Sequence, residues 1–310
     1  MPYANLKRKT CVRNRKRSMS AAILAAMIAV FLGASVPHSW AEDHDNEIPF
    51  AEARIFFELN DTDGDLGIHA LIDGEPWKKL EIEDPNERKM LNIKIKGRLR
   101  KQGLTELFFE SAEPTFDELS PGKFFARFPE GDYEIEGKTL DGEEMESTVE
   151  LTHVMPAPAG GITLNGDPVN LDNVDCDEED TIPSVEVNAN GSVVISWAPI
   201  TMSHPDSEGG GAGVQPPIPV AIHNYEVVVE AELEVGGEEF AAVFSIILPP
   251  NVTAVSVPAE LLGQDTDEFK YEILAREASH NQTAVESCFV LDWGAEALGR
   301  SAAGLPSCPS

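Results

Sequence analysis

The chain has 310 residues, and its 54 Asp and Glu outnumber its 23 Lys and Arg, which gives a formal net charge of −31. A field of that sign repels nucleic acid and anionic lipid surfaces, so we expect neither as a partner. The length is enough for two domains with separate hydrophobic cores.

The first 41 residues have the three parts of a secretory signal peptide. Seven Lys and Arg precede an uncharged apolar run over 21–36, Pro37 ends that run, and Ser39-Trp40-Ala41 provides small residues at a cleavage site. The alternative is an uncleaved anchor, but 16 apolar residues fall short of the about 20 that a spanning helix needs. We predict cleavage after Ala41, no membrane span in the mature protein, and a secreted, periplasmic or cell-surface location.

Beyond the signal, polar and apolar residues alternate with the period of β-strands. In the segment 48–155, short strands are predicted between turns rich in Gly, Pro and Asp. The predicted strands are Ala53–Asn60, Gly67–Asp73, Met90–Lys96, Leu104–Glu110, Phe124–Phe128 and Tyr133–Glu136. Many short strands with frequent turns predict an all-β fold, and we assign 48–155 to a first β-sandwich domain.

The turn after the first predicted strand holds the candidate metal ligands. Asp61, Asp63 and Asp65 alternate there, and carboxylate oxygens on a tight loop are the ligands that calcium prefers. The EF-hand pattern is not met, because Leu66 and Ile72 stand where that loop needs Gly and Glu. A hairpin stabilised by Asn and Asp side chains, without metal, explains the same residues. Calcium is therefore one of two predictions for this turn.

Two further side chains of the first domain are candidates for binding, and packing is the favoured role for both. His69 lies on a predicted strand and is expected to be a packed or surface histidine rather than a ligand. Trp77 follows a predicted turn at Asp73-Gly74 and could stack on a sugar there. Burial statistics for large aromatic side chains favour a place in the core.

A segment rich in Pro, Gly and acidic residues, 156–183, is predicted to link the two domains. Its acidic run over 172–180 is typical of an extended, self-repelling chain, with ordering by calcium as the less favoured reading. Cys176 lies in this run, and its pairing with Cys288 or Cys308 stays open, as does a bond between those two. A disulfide that ties a flank to the second domain would fit an oxidising compartment.

The second domain, 184–293, resembles a fibronectin type III domain. Aromatic and aliphatic residues alternate along its predicted strands, and a Pro follows the first core Trp after one residue. The positions that match the family spacing are Trp197, Pro199, Tyr225, Tyr271, Ile273 and Ala275. The resemblance implies an immunoglobulin-like β-sandwich whose aromatic residues are packed inside, with a role as spacer or recognition module.

The second domain departs from the fibronectin pattern in two places. The segment 199–219 is long and contains nine Gly or Pro, where the family usually has a short loop. Glu277 and His280 stand where the family often has Asn and Gly. A tail over 294–310 follows the domain.

The function predicted from these observations is binding rather than catalysis. The sequence contains no Gly-x-Ser-x-Gly, no His-Glu-x-x-His, no phosphate-binding loop and no dinucleotide fingerprint. We predict an exported non-catalytic binding or scaffold protein of two tandem β-sandwiches, with a protein or glycan partner and calcium as a candidate stabiliser. The alternative is a secreted polysaccharide hydrolase or lyase that uses carboxylates of the first domain.

Overall fold

The computed structural model describes residues 47–205, 216–235, 238–264, 266 and 268–292. The predicted signal peptide, the predicted tail with Cys308, and the middle of the segment 199–219 lie outside the described residues. None of the described helices is long and apolar enough to cross a membrane.

The described residues are mostly strands, which confirms the predicted all-β class. The strands are β1 (Glu52–Asn60), β2 (Asp65–Glu83), β3 (Lys89–Lys94), β4 (Leu104–Glu110), β5 (Gly131–Thr139), β6 (Glu144–Leu151), β7 (Thr163–Leu164), β8 (Asp167–Pro168), β9 (Ser184–Glu186), β10 (Val193–Ser196), β11 (Ile222–Val235), β12 (Glu238–Leu248), β13 (Ala254–Val257), β14 (Glu268–Glu277) and β15 (Gln282–Asp292). The helices are α1 (Pro121–Phe125) and α2 (Ala259–Leu262), and single 3₁₀ turns cover Gly97–Lys101, Leu171–Asn173 and Glu179–Thr181.

One long sheet runs through both predicted domains. Its order is β12-β11-β14-β15-β1-β2-β5-β6, with β3 and β4 paired to β2 and β9 paired to β15. The two predicted domains meet where β1 pairs in parallel with β15, with Glu58 opposite Gln282 and Asn60 opposite Ala284. A smaller sheet has the order β13-β10-β7-β8. The strand that opens the first segment is therefore hydrogen-bonded to a late strand of the second.

Strand β2 is longer than its sequence pattern predicts. It was expected to end in a turn at Asp73-Gly74, and that prediction is wrong, because the strand continues to Glu83. Its first half pairs with β1 and β4, whereas its second half pairs with β3 and β5, and the register shifts between Asp73 and Trp77. A change of partners with an irregularity is what a bulge-like bend in a strand produces. Asp and Gly thus mark a bend rather than a chain reversal.

The strand predicted over Phe124–Phe128 is also wrong, because Phe124 and Phe125 end the short helix α1. Pro121 occupies the start of this helix, where its fixed φ favours the helical conformation. Both phenylalanines are buried, and the ring of Phe125 lies 5.0 Å from that of Phe57. Adjacent buried residues fit a helical face against a sheet better than they fit an alternating strand.

The apolar side chains form two separate cores, one in each segment. The first contains Phe57, Trp77, Leu80, Tyr133 and Ile135, drawn from β1, β2 and β5. The second lies between the two sheets, since it combines residues of β10 and β13 with residues of β11, β14 and β15. That two-layer packing is the β-sandwich predicted for the second segment. The predicted domain boundaries themselves stay a prediction.

Each predicted packing aromatic is buried. The exposed fraction is zero for Trp77 and Tyr225, 4% for Trp197 and 2% for Tyr271. The ring of Trp197 lies edge-on to that of Tyr225, with centroids 5.3 Å apart. Stacking of Trp77 on an external sugar is therefore excluded, because the side chain has no exposed surface. These side chains stabilise the cores rather than forming a binding surface.

A disulfide joins Cys176 to Cys288, with the two Cα atoms 5.8 Å apart. It connects the predicted linker to β15 across 112 residues of sequence and selects one of the three pairings that the sequence left open. Around it, the acidic run folds into short 3₁₀ turns, and the Thr181 hydroxyl donates to the carbonyl of Asp175 at 2.8 Å. The linker also contributes β7, which pairs with β10.

The turn between β14 and β15 connects distant parts of the chain. Asn281 is fully buried, and its Oδ1 accepts the backbone N–H of Phe57 at 2.8 Å, while its Nδ2 donates to the carbonyl of Thr152 at 2.8 Å. The preceding His280 has a φ of +73°, the left-handed region that favours Gly or Asn. His280 is one of the two positions where the sequence departs from the fibronectin pattern, which often has Gly there.

Candidate functional site

The turn between β1 and β2 carries the three predicted calcium ligands, and its shape is stabilised by its own hydrogen bonds. Asn60 Oδ1 accepts the backbone N–H groups of Thr62 at 3.0 Å and Asp63 at 3.2 Å. Gly64 has a φ of +66°, and its N–H donates to the carbonyl of Asn60 at 2.9 Å. These are the contacts of an Asx-type turn, which forms without a metal.

The turn also lies against β15 of the second segment. The backbone N–H of Glu286 donates to Thr62 Oγ1 at 2.9 Å, and the Thr62 hydroxyl donates to the Glu286 carbonyl at 3.2 Å. Asn60 Nδ2 donates to Glu286 Oε1 at 2.7 Å, and the N–H of Asp61 donates to the Ala284 carbonyl at 3.0 Å. The turn is therefore part of the junction between β1 and β15.

The three aspartates do not converge on a common point. Asp61 Oδ1 lies 2.8 Å from His204 Nε2, whereas Asp63 Oδ2 accepts a long bond of 3.4 Å from Asn60 Nδ2. Across the ranges that the structure describes, no three His, Cys, Asp or Glu side chains are placed to hold a metal ion together. Binding of calcium by Asp61, Asp63 and Asp65 therefore needs Asp61 to leave His204 and the others to turn inward.

Asp65, at the start of β2, has a raised pKa. Burial, together with the nearby carboxylates of Glu113, Asp63 and Glu286, raises its pKa to about 6. Burial disfavours the charged form, and like charges disfavour it further. Asp65 consequently exchanges its proton close to neutral pH.

His69 lies at the centre of a group of acids on β1, β2 and the chain after β4. The ring is 4% exposed, with Nε2 at 3.1 Å from Glu113 Oε1 and Nδ1 at 3.9 Å from Glu58 Oε2. It is a packed histidine, as the sequence predicts. Gly67 makes room for Glu113, since a Cβ there would lie 2.2 Å from Glu113 Oε1. Burial raises the pKa of Glu58, against the opposing effect of the His69 charge.

The same face of the sheet continues as a row of carboxylates across β14 and β15. Glu272 lies directly opposite Glu286 in the antiparallel pair, an arrangement in which like charges repel. Burial, together with the negative charges of Glu58, Glu286 and Glu226, raises the pKa of Glu272 to about 8. Burial and Asp63 likewise raise the pKa of Glu286. We call Glu58, Glu272 and Glu286 the acidic row.

The acidic row borders one compensated pair. The guanidinium of Arg276 lies against the carboxylate of Glu226, and Ser245 Oγ donates to Glu226 at 2.7 Å. Burial opposes ionisation of Glu226, but these hydrogen bonds and the positive charge outweigh it, so the pKa of Glu226 is lowered. Arg276 also favours the charged form of Glu272, but burial and the neighbouring carboxylates outweigh it there, which is why the two glutamates differ.

The end of the long sheet that is formed by β12 presents an apolar surface, unlike the acidic row. β12 pairs with β11 in continuous register from Glu238 to Leu248, and none of the described strands pairs with its other edge. Phe240, Val243 and Ile247 on this strand are 49%, 54% and 61% exposed. The stretch Phe240–Leu248 contains no charged residue, in a chain of which 25% is charged. We call this stretch the neutral edge.

Sequence reasoning missed most of these contacts because they are non-local. Asp61 and His204 are 143 residues apart, and Asn60 and Glu286 are 226 apart. The one available signal was the alternation of Glu with aliphatic residues on the predicted strands, which places acids on a single face. It did not show which strands would be neighbours.

Comparisons with known proteins show no family model that matches the chain and no match among curated proteins. Solved structures that match include fibronectin(III)-like modules of Clostridium thermocellum CbhA, at 12% identity over 81% of this chain and 93% of that one, with a TM-score of 0.25. A bacterial ice-binding adhesin matches at 12% identity over 80% of this chain and 67% of that one, with a TM-score of 0.20.

A third match is the SGBP-B protein of a Bacteroides ovatus mixed-linkage glucan utilization locus, in complex with a mixed-linkage heptasaccharide. The identity is 11%, over 80% of this chain and 46% of that one, with a TM-score of 0.19. Because these TM-scores are low, the matches are not used to assign the function, which depends on the residues of this chain.

Proposed function

We propose that the chain is an exported, non-catalytic binding or scaffold protein of the cell envelope or extracellular space. The Cys176–Cys288 disulfide is the observation that carries the export step. Cys288 is fully buried, so the bond is part of the packed structure rather than an exposed thiol pair. Structural disulfides persist in oxidising compartments and are rare in reducing ones. The predicted signal peptide would bring the chain to such a compartment.

The binding role is supported by where the aromatic and acidic residues lie. The described Trp and Tyr side chains with the least exposure, Trp77, Trp197, Tyr133, Tyr225 and Tyr271, fill the cores. The outer face carries the acidic row and ends at the neutral edge. A rigid sheet with an exposed surface of distinct chemistry is a scaffold for recognition. A fibronectin type III-like second domain, as the sequence resemblance implies, would have the same role.

The enzymatic alternative is favoured by one observation, the raised pKa of Asp65 next to that of Glu58. A proton donor near neutral pH is what a polysaccharide hydrolase or lyase would need. The other acids of the group are already engaged, because Glu58 and Glu113 flank His69 and Asp61 contacts His204. We therefore keep catalysis as the alternative and binding as the proposal.

Calcium binding at Asp61, Asp63 and Asp65 belongs to the proposal as a prediction. Thermal unfolding in millimolar calcium tests it, with an Asp63→Ala, Asp65→Ala double variant as the comparison. We expect calcium to raise the melting temperature of the parent and not that of the variant. A His204→Ala variant should bind calcium more tightly, because it frees Asp61. Equal responses of parent and double variant would exclude this site.

Cell fractionation of an expression host tests the main proposal. When the full chain is expressed, we expect its mature form outside the cytoplasm, with Glu42 as the first residue and with Cys176 and Cys288 protected from alkylation. A reduced protein in the cytosol would contradict it. A panel of glycans then separates binding from catalysis: retention without product supports the proposal, whereas product formation that Asp65→Asn abolishes would establish the enzymatic alternative.

A further inference from the structure

The two ends of the long sheet are protected to different degrees. At one end, β6 carries Glu144, Glu146 and Glu150, and Ile48 covers part of it through hydrogen bonds of 3.0 Å to the backbones of Glu144 and Glu146. Charges and covering segments are how sheets avoid unwanted pairing at an edge. This end of the sheet is therefore both acidic and partly closed.

The other end has weaker protection within the described residues, because its charges, Glu238 and Glu239, stand only at the start of β12. β12 is 11 residues long, contains no Lys, Arg, Pro or Gly, and has no bulge in its pairing with β11. A long, regular, apolar edge with unpaired N–H and C=O groups is a template for another strand. Its exposed side chains, Phe240, Val243 and Ile247, would be covered by such a strand.

We propose that the neutral edge is a self-pairing interface, on which β12 of a second copy of this chain docks in antiparallel orientation. Antiparallel pairing of a strand with its own copy is self-complementary and gives a closed two-fold dimer. It extends the sheet without any new element. This inference goes beyond the proposed function and does not depend on it.

The charge distribution favours a second copy in antiparallel rather than parallel orientation. Pairing centred on Phe244 covers all of Phe240–Leu248 and places Glu238 beyond the neutral edge of the partner, opposite Pro250. Parallel pairing would set Glu238 and Glu239 against the same residues of the other copy, where like charges destabilise a sheet. Pro250 lacks an N–H, so the ladder would end where the charges begin.

Side-chain sizes are complementary at three of the five distinct pairs in this register, whereas Phe244 faces its own copy and Phe240 faces Leu248. Ile247 of one copy lies opposite Ala241 of the other, Val243 lies opposite Ser245, and Ala242 lies opposite Ile246. Large residues facing small ones pack without overlap across a strand pair. The first of these pairs would cover Ile247, which is the most exposed large apolar side chain of the described residues.

The net charge of −31 opposes association of two copies, but not at this edge. Glu238 and Glu239 stand at one end of β12, so the two-fold pairing places those of the two copies at opposite ends of the interface. The other nearby outer-face acids, Glu226, Glu230, Glu232 and Glu234, lie on β11. In the dimer the two β11 strands are three strand spacings apart, about 14 Å. The screening length in physiological salt is about 8 Å, so most of this repulsion is removed. Association should therefore strengthen as salt increases.

Sedimentation analysis of the disulfide-bonded protein tests the interface. Over a range of protein concentrations we expect a monomer–dimer equilibrium that tightens between about 0.1 M and about 1 M salt, as the screening length falls from about 10 to about 3 Å. A Val243→Lys, Ile247→Lys variant should dimerise at least about tenfold more weakly, because it places like charges in the pairing. The matched control is Phe108→Lys on β4, where the side chain is 57% exposed.

Hydrogen exchange of the unmodified protein gives a second readout that needs no variant. Backbone amides of Phe240–Leu248 should lose protection on dilution, while those of β6 should not change. The proposal is overturned by a parent that stays monomeric at all concentrations in both salts, or by association that weakens as salt increases. It is also overturned if Phe108→Lys disrupts the dimer as much as the β12 variant does.

Discussion

The two faces of β14 and β15 are built from alternate residues of the same strands, yet they depend on different physical effects. The inner face carries Phe269, Tyr271 and Phe289, which are almost fully buried in the second core. The outer face carries Glu272 opposite Glu286, and further along it Cys288 with its disulfide. Apolar burial responds weakly to pH, whereas carboxylates and disulfides respond to pH, salt and redox conditions. The inner face should therefore provide a free energy of unfolding that changes little with conditions. The outer face should make the free energy of unfolding depend on pH, salt and redox conditions.

A substitution on the inner face should cause the largest loss in the free energy of unfolding. Phe289→Ala removes a ring that stacks on Phe269 with centroids 5.3 Å apart. We expect a loss of about 3–5 kcal/mol in the free energy of unfolding, because the substitution leaves a cavity in a packed core. Urea unfolding at two pH values measures it, and the loss should be the same at both. Phe108→Ala, on an exposed side chain, is the control and should change stability by less than about 0.5 kcal/mol.

Removal of the disulfide shows how much the stability of the outer face depends on redox conditions. Replacing Cys176 and Cys288 by Ser should lower the free energy of unfolding by about 2–4 kcal/mol, since the unfolded chain loses its cross-link. Reduction of the parent should have a similar effect, and the double variant should not respond to reductant. Cys308→Ser is the matched control, because the disulfide does not use Cys308. A parent that is insensitive to reductant would contradict this assignment.

Substitution in the acidic row shows how much the free energy of unfolding depends on pH. The pKa of Glu272 is raised from an ordinary value of 4.5 to about 8, so between these values the folded state holds more protons than the unfolded state. Stability should therefore be greatest below this window and decrease as pH rises through it. Glu272→Gln should be more stable than the parent by about 1–2 kcal/mol at pH 8, a figure discounted for partial exposure.

The same comparison at low pH separates ionisation from other effects of the substitution. At about pH 3, well below the ordinary pKa of 4.5, Glu272 is neutral in both states, so the advantage of the Gln variant should disappear. Glu234→Gln, at an exposed position of β11, should leave the pH dependence unchanged. An equal gain at both pH values would show that packing or hydrogen bonding, and not charge, is responsible.

A substitution in the turn between β14 and β15 should cause the smallest change in the free energy of unfolding. His280 has a φ of +73°, and its Nδ1 is buried without a hydrogen-bond partner in the described structure. Asn tolerates left-handed backbone better than His, so His280→Asn should raise the free energy of unfolding by roughly 0.5–1 kcal/mol. Chemical unfolding checks this by comparison of the variant with the parent. A loss of stability would show that the His280 ring is needed, for example through its contact with His223.

Local pattern was informative where burial alternates regularly along a strand. Leu104–Glu110 was predicted with the bounds that β4 has, and Trp197, Tyr225 and Tyr271 were assigned to the core correctly. It was misleading where local and tertiary preferences compete. Gly74 resembles a turn residue but lies within β2, and Phe124 belongs to a helix that packs on β1.

The candidate site was predictable in its residues but not in its partners. The Asp61–Asp65 turn was found from the spacing of its carboxylates, and a hairpin without metal was one of the two alternatives. The contacts to His204 and Glu286 depend on strands that pair across more than a hundred residues. Composition and local periodicity hold no information on such pairing.

What the amino-acid sequence determined by itself is the class of the fold and the side on which each residue lies, because a strand turns successive side chains to opposite faces. The tertiary structure alone decided that β1 joins β15, that Glu272 meets Glu286 and that Cys176 pairs with Cys288. Such neighbours are chosen by how whole strands pack and pair, and alternation along one strand leaves the identity of the next strand open.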